Sequence, residues 1–267
     1  MKRICLIGSG NVAEALACAL SAPVSVQVAS TGEQFCLDRI YARNQDRGNA
    51  IAQMAGCSYT NDPAELQSAD IILIAVSDSQ IGQVAELIPN NEAIVAHTAG
   101  CVSWHVLPEW LHHRGVFYPL QTFTAGRKVN FREIPLLIEG EDQTTIETLL
   151  ELANVLSDNV HQSTESQRAQ LHLAAVFACN FTNRMYAIAQ QLLEEAHLPA
   201  TLIGPLIGET TRKAMDSPSA AAVQTGPARR GDLPTQQRHL DLLAQHPKWQ
   251  ELYRKISNDI WETSKKI

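Results

Sequence analysis

The first residues whose types and spacing suggest chemistry form a glycine-rich turn near the start of the chain. Residues 8–13 follow a G-x-G-x-x-A pattern directly after the alternating, β-branched stretch Lys2–Ile7. In such a turn the first glycine permits a tight bend, the second lets the backbone approach a pyrophosphate, and the small third residue lets the next helix pack on the strand. The free N–H groups at the start of that helix face the phosphates. The pattern predicts a dinucleotide site made by Gly8, Ser9, Gly10, Asn11, Val12 and Ala13.

The end of the second strand distinguishes NADP from NAD, because an acid there binds a ribose diol and an arginine binds a 2′-phosphate. The strand predicted at 37–42 ends at Arg43 and Asn44 and leads into an amphipathic helix, which favours NADP(H) with both residues as ligands. A competing stretch within 24–36 ends near Glu33 and would favour NAD. We interpret that stretch as an inserted hairpin. The alternative for Arg43 is that it is a solvated surface arginine without a ligand.

Two later loops follow strand ends, where open α/β sheets bind ligands. Val76 and Ser77 end one strand, and we expect them to border the ribose and phosphates. His97, Thr98, Ala99 and Gly100 follow the next strand, and we expect them near the nicotinamide. His97 is a candidate catalytic proton donor. An alternative of equal weight is that His97 only forms hydrogen bonds within its own loop.

A polar stripe interrupts an apolar helical run in the second half of the chain. Residues 172, 176, 180 and 184 share one face at i, i+4 spacing, and this region carries His172, Asn180 and Asn183. An unpaired buried polar group costs roughly 1–3 kcal/mol, so such residues are hydrogen-bonded or face a wet cleft. We predict a catalytic role for the three residues; the alternative is a hydrogen bond between helices.

Two further turns are candidates for binding substrate. Residues 224–232 combine a Gly-Pro pair with Thr225 and Arg230, which predicts a clamp for an anionic group because a guanidinium offers carboxylates two parallel hydrogen bonds. An alternative of equal weight is that residues 224–232 form a solvated surface loop. Tyr118 and Gln121 lie in an aromatic and polar turn that leaves a strand near the predicted domain junction.

The elements that must position these residues alternate between strands and helices up to about residue 160, which predicts a parallel sheet covered on both faces. Beyond that point a stretch free of Pro and Gly, 165–196, predicts a long helix. We therefore predict an α/β Rossmann-like N-terminal domain over 1–162, which binds NADP, and an all-α domain over 163–267, which serves substrate binding and dimerisation.

The composition is that of an ordinary globular protein, with 21 Lys and Arg against 28 Asp and Glu, a net charge of −7 and 45% hydrophobic residues in 267. It excludes a mostly disordered chain and a strongly basic nucleic-acid binder. The first apolar run stops at Gly8 and none reaches the length of a membrane span, so we expect a cytoplasmic protein without nucleic acid or membrane as partner. The six cysteines show no C-x-x-C spacing, and we expect no metal site.

The sequence resembles a family of Rossmann-like NADP oxidoreductases whose second half is a helical domain of unknown function. The matching stretches are the glycine turn and residues 97–100, 117–123, 171–177, 180–183 and 224–227, with Arg229 or Arg230. This resemblance spans nearly the whole chain. It implies the fold and the cofactor NADP(H), whereas the family's substrate is not established.

More distantly, the layout is similar to pyrroline-5-carboxylate reductase, ketopantoate reductase and the β-hydroxyacid dehydrogenases. That similarity implies a C-terminal domain of the 6-phosphogluconate dehydrogenase C-terminal-like type and a homodimer formed through it. Several of those enzymes carry a catalytic lysine four residues before an asparagine; Asn180 matches the asparagine, but Val176 stands in the lysine's place. His172, one turn earlier, is then the substitute proton donor.

These observations lead to one main hypothesis and two alternatives. The main one is an NADP(H)-dependent oxidoreductase that reduces a small, carboxylate-bearing carbonyl or imine compound in the cleft between the domains. The second is a non-catalytic NADP(H)-binding sensor or interaction protein on the same fold, which the loss of the lysine favours. A deazaflavin-linked reductase is the third and weaker alternative.

Overall fold

A mostly parallel sheet dominates the first two thirds of the chain. The computed structural model describes residues 1–21 and 32–266, so most of the predicted hairpin at 24–36 lies outside the described residues. Within that part the strands are β1 Lys2–Ile7, β2 Phe35–Tyr41, β3 Ser58–Thr60, β4 Ile71–Ile74, β5 Ile94–His97, β6 His113–Pro119, β7 Leu136–Gly140 and β8 Val160–Gln162. They form one sheet in the order β3-β2-β1-β4-β5-β6-β7-β8.

The first six strands of this sheet are parallel and follow the order of a dinucleotide-binding fold. Both β2 and β4 pair with β1, so the strand order reverses beside β1, where ligands of open α/β sheets bind. The second strand lies where the sequence predicts it, and Arg43 follows its end closely. The Rossmann-like fold class is therefore confirmed.

One strand departs from the predicted parallel arrangement. β7 runs antiparallel to β6, with Phe117 opposite Ile138. A parallel neighbour needs a crossover connection of a dozen or more residues, usually a helix. The link between β6 and β7 contains only the single 3₁₀ turn Phe131–Glu133. The prediction of a parallel sheet is therefore wrong for the pairing of β7 with β6.

Helices cover both faces of the sheet. Their bounds are α1 Asn11–Ser21, α2 Gln45–Ala55, α3 Ile81–Ala85 and α4 Gln143–Leu156. Ile4 and Leu6 of β1 lie in one core with α1, α2 and α4, whereas Cys5 and Ile7 lie in a second core with α3. Strands buried on both faces are apolar throughout rather than alternating, and the four residues of β4 are all buried. This double packing fixes the carboxyl ends of the strands, where the site residues lie.

The rest of the described chain is helical. Its α-helices are α5 Glu165–Ala175, α6 Thr182–Glu195, α7 Gly204–Asp216, α8 Pro227–Arg230, α9 Leu233–Leu242 and α10 Pro247–Ser264. A π-helical segment, Val176–Phe181, joins α5 to α6, so the long helix predicted at 165–196 is present with a wider turn inside it. A capping box between Thr164 and Gln167 starts α5, because each side chain accepts from a backbone N–H of the other residue.

The chain divides into two compact units, Met1–Asn183 and Arg184–Ile267. This division falls later than the predicted boundary between 162 and 163, which coincides with the end of β8 and remains our proposed limit of the cofactor domain. The first unit includes α5 because Arg168 of that helix is bound to the sheet and to the loop after β5. In the described part of the chain, no helix has both the length and the apolar character needed to cross a membrane.

Candidate functional site

The glycine turn lies between β1 and α1, and its two glycines meet different constraints. Gly8 has a φ of 135°, and a Cβ on it would lie 2.2 Å from the carbonyl oxygen of Ala75, so only glycine fits beside the end of β4. A Cβ on Gly10 would meet nothing within 4 Å. Ala13 is fully buried against the turn. The open side of Gly10, next to the first N–H groups of α1, fits a pyrophosphate.

A pocket of about 290 Å³ joins this turn to the ends of β2 and β4. Gly8, Ser9, Arg43, Asn44 and Val76 are among its lining residues, so it brings together residues from three of the predicted cofactor stretches. Its position at the strand-order reversal and its size suit the adenosine part of a dinucleotide.

Arg43 is the cationic side chain of this pocket. Its Nη2 lies 3.4 Å from Oε1 of Gln80, and no carboxylate pairs with it among the described residues. Arg47, one turn along α2, is instead paired with Glu14. Asn44 caps α2 by accepting a 3.0 Å hydrogen bond from the Arg47 N–H, so its side chain serves the helix as well as lining the pocket.

The predicted nicotinamide loop is held by its own histidine. His97 is 0% exposed, and its Nδ1 accepts a 3.2 Å hydrogen bond from the Ala99 N–H. Burial lowers the pKa of His97 to about 4, so the ring is neutral near pH 7. The Thr98 N–H donates to the carbonyl of Ile74 at the end of β4, at 3.1 Å. This geometry favours the alternative in which His97 orders its own loop over the prediction that it donates a proton.

Gly100 brings this loop against a tyrosine and histidine pair. Tyr118 Oη and His172 Nδ1 lie 2.8 Å apart. A Cβ on Gly100 would lie 2.6 Å from His172 Nδ1 and 2.9 Å from Tyr118 Cζ. The end of the loop therefore touches the hydrogen bond between the two side chains. The structure thus joins one predicted catalytic residue, one predicted substrate residue and one predicted cofactor residue in the first unit.

Arg168 fixes the helix that carries His172. It is 0% exposed, forms an ion pair with Glu139 of β7, and donates a 2.7 Å hydrogen bond to the carbonyl of Val102. Arg168 is not among the predicted site residues. A signal was present, because Arg168 lies one helical turn before His172 and therefore on the same face.

The positions of the two predicted asparagines depend on the π-helical segment. Asn180 lies inside it and Asn183 lies in the first turn of α6, and both are exposed. A π turn bonds i to i+5 and so shifts the helical faces, which interrupts the predicted i, i+4 stripe. Within the described residues, no side-chain hydrogen bond joins either asparagine to His172.

Gln121, Thr225 and Arg230 are the remaining predicted substrate residues. The Oε1 of Gln121 accepts a 2.8 Å hydrogen bond from the Thr122 N–H within its own loop. Thr225 and Arg230 belong to the second unit and are exposed. Arg229, beside them, instead donates to the carbonyls of Ala222 and Gln224 and so braces this loop. The anion clamp remains a prediction.

Comparisons with known proteins support the Rossmann-like fold and the cofactor NADP(H). Residues 3–100 match the family described as NADP oxidoreductase coenzyme F420-dependent, and residues 134–260 match a domain of unknown function, DUF2520. A putative NADP oxidoreductase from Bacteroides fragilis is 38% identical, with 98% of each chain covered and a TM-score of 0.85.

Two more distant structures share the fold. Protein TM1727 from Thermotoga maritima is 19% identical, with coverage of 98% of this chain and 99% of that chain and a TM-score of 0.79. A 1-pyrroline-5-carboxylate reductase from Streptococcus pyogenes is 12% identical over 98% of both chains, with a TM-score of 0.64. No functionally curated protein matches the sequence.

Proposed function

This chain belongs to the family of NADP oxidoreductases that includes the Bacteroides fragilis protein, and from this premise we propose that it is an NADP(H)-dependent reductase of a small, carboxylate-bearing carbonyl or imine compound. When bound, NADPH supplies the hydride. The protein's own residues bind the cofactor, orient the substrate and supply the proton.

The first unit has the parts that an NADP(H) site needs. The open side of Gly10 and the first N–H groups of α1 would hold the pyrophosphate. Arg43 would bind the 2′-phosphate, since a guanidinium forms charge-assisted hydrogen bonds with phosphate oxygens. Ser77 would border the ribose, and residues 97–100 would hold the nicotinamide at the end of β5.

The observation that carries the proposal is the contact of Gly100 with the Tyr118 and His172 pair. A proton-donating pair at the end of the nicotinamide loop is what reduction of a carbonyl or imine requires, because each hydride added to carbon must be matched by one proton on oxygen or nitrogen. His172 replaces the missing lysine as the proton source. Asn180 and Asn183 would orient the substrate, and Thr225 with Arg230 would bind its carboxylate.

The test is NADPH oxidation by the purified protein with keto acids and cyclic imines as substrates. We expect turnover with at least one class, and we expect His172→Ala to abolish it while NADPH binding persists. Turnover that survives in His172→Ala would remove His172 from the mechanism. Failure of both substrate classes with wild-type protein that binds NADPH would contradict the reductase proposal.

Val176 supports a second candidate function, an NADP(H)-binding sensor without catalysis. It lies in the place of the catalytic lysine of related enzymes and starts the π-helical segment. In that case NADPH would bind, yet neither His172→Ala nor Tyr118→Phe would change any detectable turnover. The remaining alternative is a deazaflavin-linked reductase. Hydride transfer from NADPH to an added deazaflavin would distinguish it from the other two candidates.

We also propose that two copies associate through the helical region. Among its described residues, the second unit has only Ala228, Leu243 and Ser257 buried. In contrast, Leu206 and Met215 of α7 are 62% and 80% exposed. A small helical unit needs more apolar burial than this to be stable, and a second copy of the chain would supply it.

A further inference from the structure

The hydrogen bond between Tyr118 and His172 gives the tyrosine a place in the proton path. Tyr118 is 8% exposed and lies at the carboxyl end of β6, with its ring packed against Val116 and Leu137. Its hydroxyl lies 2.8 Å from Nδ1 of the partly exposed His172. The hydroxyl is therefore held between the loop that ends at Gly100 and a group that reaches solvent.

On the basis of the proposed reductase function, we infer that Tyr118 is the catalytic residue that passes the proton to the substrate, and that His172 stands behind it as the proton source. Before the transfer, the imidazolium Nδ1–H donates to Tyr118 Oη, and the phenolic O–H donates to the substrate oxygen or nitrogen. The phenolic O–H bond breaks as the bond from hydrogen to the substrate forms. At the same time the Nδ1–H bond of His172 breaks and a new O–H bond forms on Tyr118.

This transfer balances and ends in a stable pair. Tyr118 has lost one proton and gained one, so it is a neutral phenol before and after. His172 has changed from imidazolium to neutral imidazole with its remaining proton on Nε2. The new phenolic O–H then donates to Nδ1 across the same 2.8 Å bond, with donor and acceptor exchanged. The electron pair for the reduced carbon arrives with the hydride of NADPH.

The environment of Tyr118 explains why the histidine is needed. Burial raises the pKa of Tyr118 to about 12, with smaller contributions from Cys101 and Asp78 that Arg168 opposes. A phenol with this pKa remains protonated near pH 7 and is a poor acid unless a second proton replaces the one it gives up. Nδ1 of His172 is the neighbour that supplies the replacement.

A simpler arrangement makes a different prediction. If His172 gave the proton directly from Nε2, then Tyr118 would only orient the ring, and removing its hydroxyl would have a small effect. The two arrangements also differ in the neutral state of His172, because a relay leaves its proton on Nε2, whereas direct donation leaves it on Nδ1.

The kinetic test is Tyr118→Phe, which removes the hydroxyl and keeps the ring. With pyruvate and 1-pyrroline-2-carboxylate as keto acid and imine probes, we expect kcat to fall about 10²–10⁴-fold. NADPH affinity should stay within about twofold. The double variant with His172→Ala should be no slower than the slower of the two single variants, because both residues act in one path. A Tyr118→Phe kcat within threefold of wild type would overturn the relay.

The matched control is Tyr253→Phe. Tyr253 Oη lies 2.8 Å from Nδ1 of His239 in the second unit, so this change removes a hydroxyl from an equivalent tyrosine and histidine pair that has no role in the proposed relay. We expect its kcat to equal that of wild type. A loss as large as that of Tyr118→Phe would show that the effect is structural, which would overturn the relay.

An experiment without turnover separates the relay from the proposed function. Nitrogen-15 NMR of histidine-labelled protein reports which ring nitrogen of His172 carries the proton when the ring is neutral. The relay predicts Nε2–H in wild type, with loss of the Nδ1 hydrogen-bond shift in Tyr118→Phe. A neutral ring with Nδ1–H in wild type would overturn the relay even if the protein proves to be a reductase. Lack of turnover with both probes would count against the reductase, and this NMR result would still decide the direction of the hydrogen bond.

Discussion

Gly100 is the residue on which the candidate site depends most directly. A methyl group there would lie 2.6 Å from His172 Nδ1, so Gly100→Ala must push the histidine away from Tyr118. We expect kcat to fall at least tenfold in Gly100→Ala while NADPH still binds, as measured by NADPH oxidation and fluorescence titration.

Gly208→Ala is the matched control for this change. Gly208 lies within α7, and a Cβ on it would meet nothing within 4 Å. Alanine favours a helix by up to about 1 kcal/mol over glycine, so we expect unchanged kcat and equal or higher stability. Full activity in Gly100→Ala would show that the pair does not act in catalysis.

His97 makes a prediction about pH. Burial lowers its pKa to about 4 from an ordinary 6.5, so below pH 6.5 the unfolded chain binds a proton that the folded protein does not. The stability that His97 contributes is therefore present above pH 6.5 and is lost as the pH falls towards 4. The loss is about 2 kcal/mol between pH 7 and pH 5.

Urea unfolding of wild type and His97→Asn at both pH values tests this effect. Asparagine keeps an amide oxygen for the Ala99 N–H but does not titrate. We expect the free energy of unfolding of His97→Asn to fall less than that of wild type over this pH range. Equal decreases in the two proteins would contradict a buried, neutral His97.

At the scale of elements, the sequence was informative wherever a local pattern decides the structure. β1 spans the predicted residues Lys2–Ile7, and the amphipathic helix predicted after the second strand is present as α2. β3 and β8 have three residues each and are too short to show a period. The direction of β7 depends on the connection between β6 and β7, and the residue pattern of a strand carries no information about that connection.

The residues of the candidate site also fall into those that the sequence predicts and those that it does not. The glycine turn and Arg43 can be found from sequence, because a local motif and a strand end determine their places. The Tyr118 and His172 pair cannot, since its members are 54 positions apart and meet only through the packing of α5 on the sheet. The π-helical segment was also not predictable, because its composition is that of an ordinary helix.

The attachment of α5 gives a prediction at this scale. The Arg168 guanidinium is completely buried, and Glu139 is its charged partner. Glu139→Gln keeps the shape and leaves a buried charge unpaired, which typically costs about 3–5 kcal/mol. We expect that loss in urea unfolding, together with a lower kcat in the variant that remains folded.

Glu133→Gln is a suitable comparison, because Glu133 is exposed and, among the described residues, its side chain accepts a hydrogen bond only from Asn130 of its own turn. A surface contact of this kind contributes about 1 kcal/mol or less. Similar stability losses in the two variants would contradict the claim that Arg168 and Glu139 anchor α5.

For the whole molecule, the exposed apolar residues of the helical region predict self-association. Sedimentation at micromolar concentration should show a dimer, and Leu206→Glu should weaken it at least tenfold, since a charge would be buried against apolar surface. Val106→Glu changes a similarly apolar residue of the first unit, 42% exposed, and should leave the dimer intact. A wild-type monomer would contradict the proposed association.

The net charge of −7 also belongs to this scale, because an acidic protein must bind an anionic cofactor through local positive potential. In our proposal the α1 N-terminus and Arg43 supply that potential, and Arg43 distinguishes the two dinucleotides. The most direct test of the account is therefore fluorescence titration of NADPH and NADH with wild type and Arg43→Ala. We predict that wild type binds NADPH more tightly and that Arg43→Ala loses about tenfold in NADPH affinity with NADH affinity unchanged. Tenfold tighter binding of NADH by wild type, or equal loss of both cofactors in the variant, would contradict it.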